Sequence, residues 1–286
     1  MRDTLDNPTP TLPASELARL EASFPLRAVA VDGGAKVLVR ECGAGPVIVC
    51  LHGIGSGAAS WLDSALLLGA QARVIAWEAP GYGESTPLAS AAPLAADYAQ
   101  RLTATLDALD VQSFVLVGHS LGALMAGAAA RADSALAARI ERLVLISPAN
   151  GYGAPARDEA RRKVRAERLA TLDQLGVTGM AATRSRRLLS DGASETARQW
   201  ARWNMARLND TGYRQAVELL CGGDLMADLP PAMPVRIGCG VLDTVTPPAV
   251  CAEVARKCGV PLELIAEAGH ACYVEQPQAV ATLIAG

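Results

Sequence analysis

Phe114-Val115-Leu116-Val117-Gly118-His119-Ser120-Leu121-Gly122 decides the reading of this chain. Phe114 to Val117 is a short apolar run of strand type, and the alanine-rich stretch that follows Gly122 has a helical pattern out to about Arg131. Between them lies G-x-S-x-G. A strand that passes straight into a helix needs a sharp turn, and Gly118 and Gly122 remove side chains where the two backbones crowd together. Ser120 is thereby thrown out beyond the end of a sheet, while the first N–H groups of the helix, that of Leu121 included, point toward any negative charge that forms beside it. Ser120 is the candidate nucleophile.

Working outward, further strand-type runs occupy 26–32, 35–41, 46–51, 73–77, 142–147, 234–240 and 261–266. The first two are parted by Asp32-Gly33-Gly34, a hairpin signal, and from the third onward helix-sized segments intervene, which predicts a mostly parallel α/β sheet. Helices are expected at 93–109, 121–131, 248–257 and 276–284, the third opening on Pro248 and followed by Gly259. Only 153–228 breaks the rhythm: it holds no good strand, only arginine-rich amphipathic stretches separated by Gly176, Gly192 and Gly212. It is expected to be a helical cap inserted after the sixth strand, with 1–152 and 229–286 forming the core.

A serine hydroxyl is a weak nucleophile and needs a base. The chain has three histidines. His119 sits within the turn, where its side chain points elsewhere, and His52 ends the strand at 46–51, where it shapes a loop. His270, in Glu267-Ala268-Gly269-His270 just after the last strand, is the expected base. Asp243, at the end of the strand 234–240, is the expected acid that orients it, with Asp224 and Asp228 as fallbacks. The oxyanion formed on attack needs two N–H donors, and the amides of Ile54 and Leu121 are the candidates.

A competing reading attaches to Gly53-Ile54-Gly55-Ser56-Gly57-Ala58, which fits G-x-G-x-x-A after a strand, with Glu78 near the place of a ribose-binding acid. It leaves Ser120, Asp243 and His270 unexplained and puts two strands ahead of the supposed first unit.

With 51% hydrophobic and 19% charged residues in 286, there is ample material for one large core. The net charge of −3 gives no reason to expect nucleic acid, and a small-molecule substrate is the expected partner. Seven cysteines without paired spacing suggest neither a zinc site nor a disulfide framework, so no metal and no cofactor are expected, and reduced thiols fit a cytoplasmic monomer or small homo-oligomer. No apolar run approaches the roughly 20 residues of a membrane span, and residues 1–16 lack the basic start and apolar stretch of a leader.

The chain resembles the α/β-hydrolase superfamily from Val47 to the last helix. The residues that carry the likeness are His52-Gly53-Ile54-Gly55-Ser56-Gly57, Gly118-His119-Ser120-Leu121-Gly122 and the G-H-x-x-x-x-E-x-P run ending at Pro277. A fourth piece, Glu78-Ala79-Pro80-Gly81-Tyr82-Gly83-Glu84-Ser85, looks like the D-x-P-G-x-G-x-S loop of small capped members, with glutamate where aspartate is common. Within the superfamily the chain is similar to 3-oxoadipate enol-lactonases and meta-cleavage-product hydrolases. The resemblance implies a serine hydrolase acting on a small ester or enol-lactone through Ser120, His270 and Asp243, with C–C bond hydrolysis or a slow ligand-binding homologue as alternatives. Serine at position 120 argues against the aspartate-dependent dehalogenases and epoxide hydrolases.

Specificity is expected in the cap, where 153–214 carries thirteen basic and seven acidic residues, a local charge of +6. Such a run serves either as a solvated helix face or as an attractor of anionic substrates.

Overall fold

The computed structural model describes residues 10–286, so the first half of the segment read for a leader lies outside the described residues. Eight strands form one sheet: β1 (Leu26–Val31), β2 (Ala35–Cys42), β3 (Val47–Leu51), β4 (Arg73–Trp77), β5 (Phe114–His119), β6 (Ile140–Ile146), β7 (Val235–Gly240) and β8 (Leu262–Ile265). Their order is β1-β2-β4-β3-β5-β6-β7-β8. β2 runs antiparallel to both its neighbours, and every pairing from β4 to β8 is parallel.

The parallel strands are apolar on both faces because helices cover both. Val49, Leu51, Leu116, Leu143 and Leu145 belong to the core beneath the helices Ala95–Ala108 and Leu121–Ala130. Their chain neighbours Ile48, Cys50, Val117, Val144 and Ile146 belong to the opposite core, under Ala14–Ser23, Leu62–Leu68 and Pro277–Ala285. The alternation is the two-residue period of a strand buried on both faces. The helix after β5 is buried on every side, which its lack of charged residues permits. The helix Pro248–Cys258 has proline in its first turn and Gly259 at φ 67° closing it, as the sequence signals.

Two helices carry no strong sequence signal. Ala14–Ser23 has no side-chain cap and is held by tertiary contact: the buried Arg40 guanidinium donates to the carbonyl of Phe24 at 2.6 Å and to Glu21 at 2.7 Å. Leu62–Leu68 is only seven residues long. Between β6 and β7 the chain is helical, with Asp158–Arg184, Glu195–Ala206, Asp210–Gly222 and the short Leu225–Asp228. Of the three glycines expected to separate these helices, Gly212 instead lies inside one. Its missing side chain lets the helix press on the loop at Gly81, since a Cβ there would stand 1.9 Å from the Gly81 carbonyl oxygen. Among the described residues no helix is long and apolar enough to cross a membrane.

Gly176 breaks the longest helix at φ 62°, ψ −179°, a conformation open only to glycine, and nothing lies within 4 Å of where a Cβ would stand. Gly176→Ala is therefore expected to lower the unfolding free energy by about 1–3 kcal/mol through backbone strain alone. Urea denaturation checks it; an unchanged midpoint would mean that the break is not enforced by the fold.

Candidate active site

β3 leads to β4 on one side while β5 lies on the other, so the carboxyl ends of β3 and β5 flank the switch point at which open α/β sheets bind ligands. Ser120 emerges there from β5, and the loop Gly53 to Gly57 from β3. Ser120 has φ 53°, ψ −116°, a strained conformation for a residue with a side chain. Neighbours hold it from both ends: its N–H donates to the carbonyl of Ile146 at 3.1 Å, and its carbonyl accepts from Ala149 at 3.1 Å. The two glycines are steric requirements, because a Cβ on Gly118 would come within 2.7 Å of the Gly122 carbonyl and one on Gly122 within 2.4 Å of the Leu51 carbonyl.

Asp243 and His270 meet behind this turn. His270 Nδ1 and Asp243 Oδ2 are 2.8 Å apart, and both side chains are almost wholly buried. Asp243 Oδ1 accepts from the amides of Val245 at 2.7 Å and Thr246 at 2.9 Å, and Thr246 Oγ1 lies 2.9 Å from Oδ2. Burial alone would raise the Asp243 carboxyl, but the hydrogen bond from His270, its charge and the Thr246 amide outweigh that and hold it down at about 2. Ser120, Thr246 and His270 all reach the wall of one cavity of about 220 Å³, between the strand ends and the helical segment that follows β6. Among the described residues no hydrogen bond joins Ser120 to His270; the two share the cavity without touching through polar atoms.

The other two histidines are placed as the sequence suggests. His119 Nε2 donates to the carbonyl of His270 at 2.9 Å, its ring lies 4.6 Å from that of Tyr273, and burial lowers its pKa to about 3, so it is neutral. His52 is also held neutral, with burial lowering its pKa to about 4; Nδ1 donates to the carbonyl of Gly53 and Nε2 accepts from the Ala79 amide at 3.1 Å. The nearby Glu78 is buried too, and burial raises its pKa; because His52 is neutral, the two form no ion pair at neutral pH. A Cβ on Gly57 would come within 2.9 Å of the Glu78 carboxyl group, which is buried and thus not open to a ribose hydroxyl. Gly53 is small because the elbow backs onto it, a Cβ there coming within 2.9 Å of the Ser120 Cβ.

Ile54 and Leu121 border the cavity, and among the described residues neither of their amides donates a hydrogen bond. Tyr82 Oη donates to the Ile54 carbonyl at 2.9 Å and so sets the orientation of that residue. The fallback acids lie elsewhere: Asp224 caps the helix Leu225–Asp228, and Asp228 pairs with Arg131 at 3.2 Å. Among the aromatic residues nearby, Tyr273 lines the cavity; Trp61 stacks behind Tyr273, and Trp200 and Trp203 pack edge to face in the core.

Sequence reasoning passed over Thr246 and Glu275. Asp243 and Thr246 are spaced like a capping turn, a local signal that was there to be read. Glu275 was visible only as one letter of a motif. Its carboxylate accepts from the Gly269 amide at 2.8 Å, from the Ser190 amide at 3.0 Å and from Ser190 Oγ at 2.5 Å, while the Ala271 amide donates to Leu188 at 2.7 Å. The loop that carries His270 is thereby clasped to the segment 188–190. Glu275→Ala strands these donors and is expected to cost about 1–3 kcal/mol of stability, with a fall in any activity that needs His270 in place. Urea unfolding of the variant reads the first effect; no loss there would show that water replaces the clasp.

Among the described residues no group of three or more His, Cys, Asp or Glu side chains gathers as a metal site, and all seven cysteines are free.

Comparison with known proteins agrees with this fold. A model of the alpha/beta hydrolase family matches residues 48–283. A 2-hydroxy-6-oxononadienedioate/2-hydroxy-6-oxononatrienedioate hydrolase of Cupriavidus pinatubonensis is 32% identical over 126 residues, which is 42% of each chain. The chain spans less than half of the curated relatives it matches, between 28% and 42% of their length. Among solved structures, the enol-lactonase from Burkholderia xenovorans LB400 superposes with a TM-score of 0.79 at 22% identity, covering 91% of this chain and 98% of that one. A thermophilic esterase from Thermogutta terrifontis gives 0.76 at 22% identity, over 91% and 96%. At that identity these two likenesses bear on the fold alone. Sheet order, the turn at Ser120 and a family match that spans most of the sequence agree, and the chain belongs to the alpha/beta hydrolase family.

Proposed function

We propose that the protein is a serine hydrolase that cleaves a small carboxylic ester or enol-lactone through an acyl-enzyme, with Ser120 as nucleophile, His270 as general base and Asp243 as its orienting acid. The observation that carries this reading is the buried 2.8 Å pair of His270 Nδ1 and Asp243 Oδ2, whose His270 lines the same cavity as the strained Ser120. A proton on Nδ1 directed at Asp243 leaves the Nε2 lone pair free to take the proton of Ser120 as its oxygen attacks the carbonyl carbon. The amides of Ile54 and Leu121, which have no other acceptor among the described residues, receive the oxyanion. Collapse expels the alcohol or enol, which takes the proton from His270, and water activated by the same imidazole then releases the acid and restores Ser120. The helical segment 153–228 acts as a cap over this cavity.

A second reading has support in the likeness to the 2-hydroxy-6-oxononadienedioate hydrolase, namely hydrolysis of a C–C bond in a vinylogous diketone. A fluorophosphonate probe tests the shared core of both. Labelling of one residue, mapped to Ser120 and absent in Ser120→Ala, is expected, whereas undiminished labelling of the variant would overturn the assignment. Steady-state turnover across esters, enol-lactones and diketones separates the two readings, and labelling with no turnover of any of them would favour a slow ligand-binding homologue.

A further inference from the structure

Two sets stand out among the twelve arginines between β6 and β7. Arg161 and Arg162 pair with Asp158, Arg165 with Glu218 at 2.6 Å, and Arg214 with Asp173 at 2.6 Å and Asp210 at 2.7 Å, all on exposed faces. These account for the solvated part of the basic run. Arg157, Arg168, Arg184 and Arg187 instead line the cavity that holds Ser120, whose lining includes no aspartate or glutamate. None of the four forms an ion pair among the described residues.

The inner two are the informative ones. Arg168 and Arg184 are half-buried, and Arg184 Nη1 is a buried donor without an acceptor. Arg168 Nη1 reaches only the Tyr213 hydroxyl, at 3.3 Å. Burial lowers the pKa of Arg184, and the charge of Arg168 lowers it further, so the two guanidinium groups feel each other. Sixteen residues on a straight helix would hold them about 24 Å apart. The break at Gly176 turns the helix so that both face one cavity. The same wall also carries the aliphatic side chains of Met180, Met205, Leu208 and Leu220.

We propose that Arg168 and Arg184 form an anion subsite, and that the substrate carries a carboxylate separated by a short aliphatic spacer from the carbonyl that Ser120 attacks. The carboxylate supplies the acceptor that Arg184 lacks, and two planar guanidinium groups suit its two oxygens. Arg157 and Arg187, exposed at the rim, raise the local concentration of such an anion. The specificity half of this inference rests on the serine hydrolase reading; the subsite itself does not.

The test compares 4-nitrophenyl hydrogen adipate with 4-nitrophenyl methyl adipate, the same ester with its carboxylate blocked. The native protein is expected to favour the charged ester by about tenfold or more in kcat/KM, and Arg168→Met with Arg184→Met to reduce that preference at least tenfold. Arg161→Met with Arg165→Met makes the same charge change on the outer face and is expected to keep the preference. Equal rates for the two esters in the native protein, or a preference lowered as much by the outer pair as by the inner pair, would overturn the proposal. If the native protein cleaves neither ester, fluorophosphonate labelling of Ser120 decides the hydrolase reading and calorimetry decides the subsite with monomethyl adipate against dimethyl adipate. Tighter binding of the monoanion, lost on replacing Arg168 and Arg184, sustains it; equal binding or none removes it.

Discussion

Ser120→Ala is expected to lower kcat/KM for an activated ester by about ten-thousand-fold or more while the protein stays folded. Alanine keeps the Cβ, so the residue at φ 53° meets the same backbone, and its hydrogen bonds to Ile146 and Ala149 are made by main-chain atoms that the substitution does not touch. What disappears is the hydroxyl, and with it the covalent route. The Ile54 and Leu121 amides and the cavity remain, so a small residual rate above that of water is expected from carbonyl polarisation alone. Because the loss falls on chemistry, it should appear in kcat with KM little altered. A variant within tenfold of the native rate would remove Ser120 from the reaction and point the search to another group on the cavity wall.

Asp243→Asn is expected to be nearly as severe, about ten-thousand-fold in kcat, although the change is isosteric. Asp243 Oδ1 accepts from the Val245 and Thr246 amides at 2.7 and 2.9 Å, so the single carbonyl oxygen of asparagine takes that side. Its NH2 group then faces His270 Nδ1, where the carboxylate oxygen was 2.8 Å away. An amide donor there demands a lone pair on Nδ1 and moves the proton to Nε2, the nitrogen that has to accept the proton of Ser120. The base is present in the wrong tautomer. The carboxyl also leaves a mark in stability: its pKa of about 2 in the folded protein lies below the ordinary 3.8. The carboxylate's contribution is whole above that ordinary value and is lost as pH falls from there through about 2. Acid unfolding of Asp243→Asn is thus expected to lack that part of the native protein's decline. A variant with unchanged kcat would mean that His270 does not need Asp243 to orient it.

How far a residue can be read from sequence here depends on how local its cause is. Gly118, Ser120 and Gly122 are legible because a strand turning into a helix within a few residues has a single steric solution, and the crowding at the Leu51 carbonyl is the same for any chain that makes the turn. The parallel strands are legible because a sheet covered on both faces demands continuous apolar runs. The helix Ala14–Ser23 is less so: it is held by Leu20 in the core and by hydrogen bonds from the buried Arg40, which sits on β2. Gly212 is misread for the same reason, since the contact that requires a glycine is made with Gly81, far away in the chain.

By itself the sequence determined the α/β class, the sheet with its helical insertion, and the three residue types at positions 120, 243 and 270 set out in chain order. These follow from short-range rules of periodicity, turn chemistry and pairing. The tertiary structure alone decided that the Asp243 carboxylate meets His270 at 2.8 Å, and that Glu275 clasps the His270 loop to residue 190. It also decided which arginines of a basic run are solvated and which face Ser120. Composition sums charge, whereas a fold distributes it. The break at Gly176 turns Arg168 and Arg184 toward one cavity, and no count along the chain contains that direction.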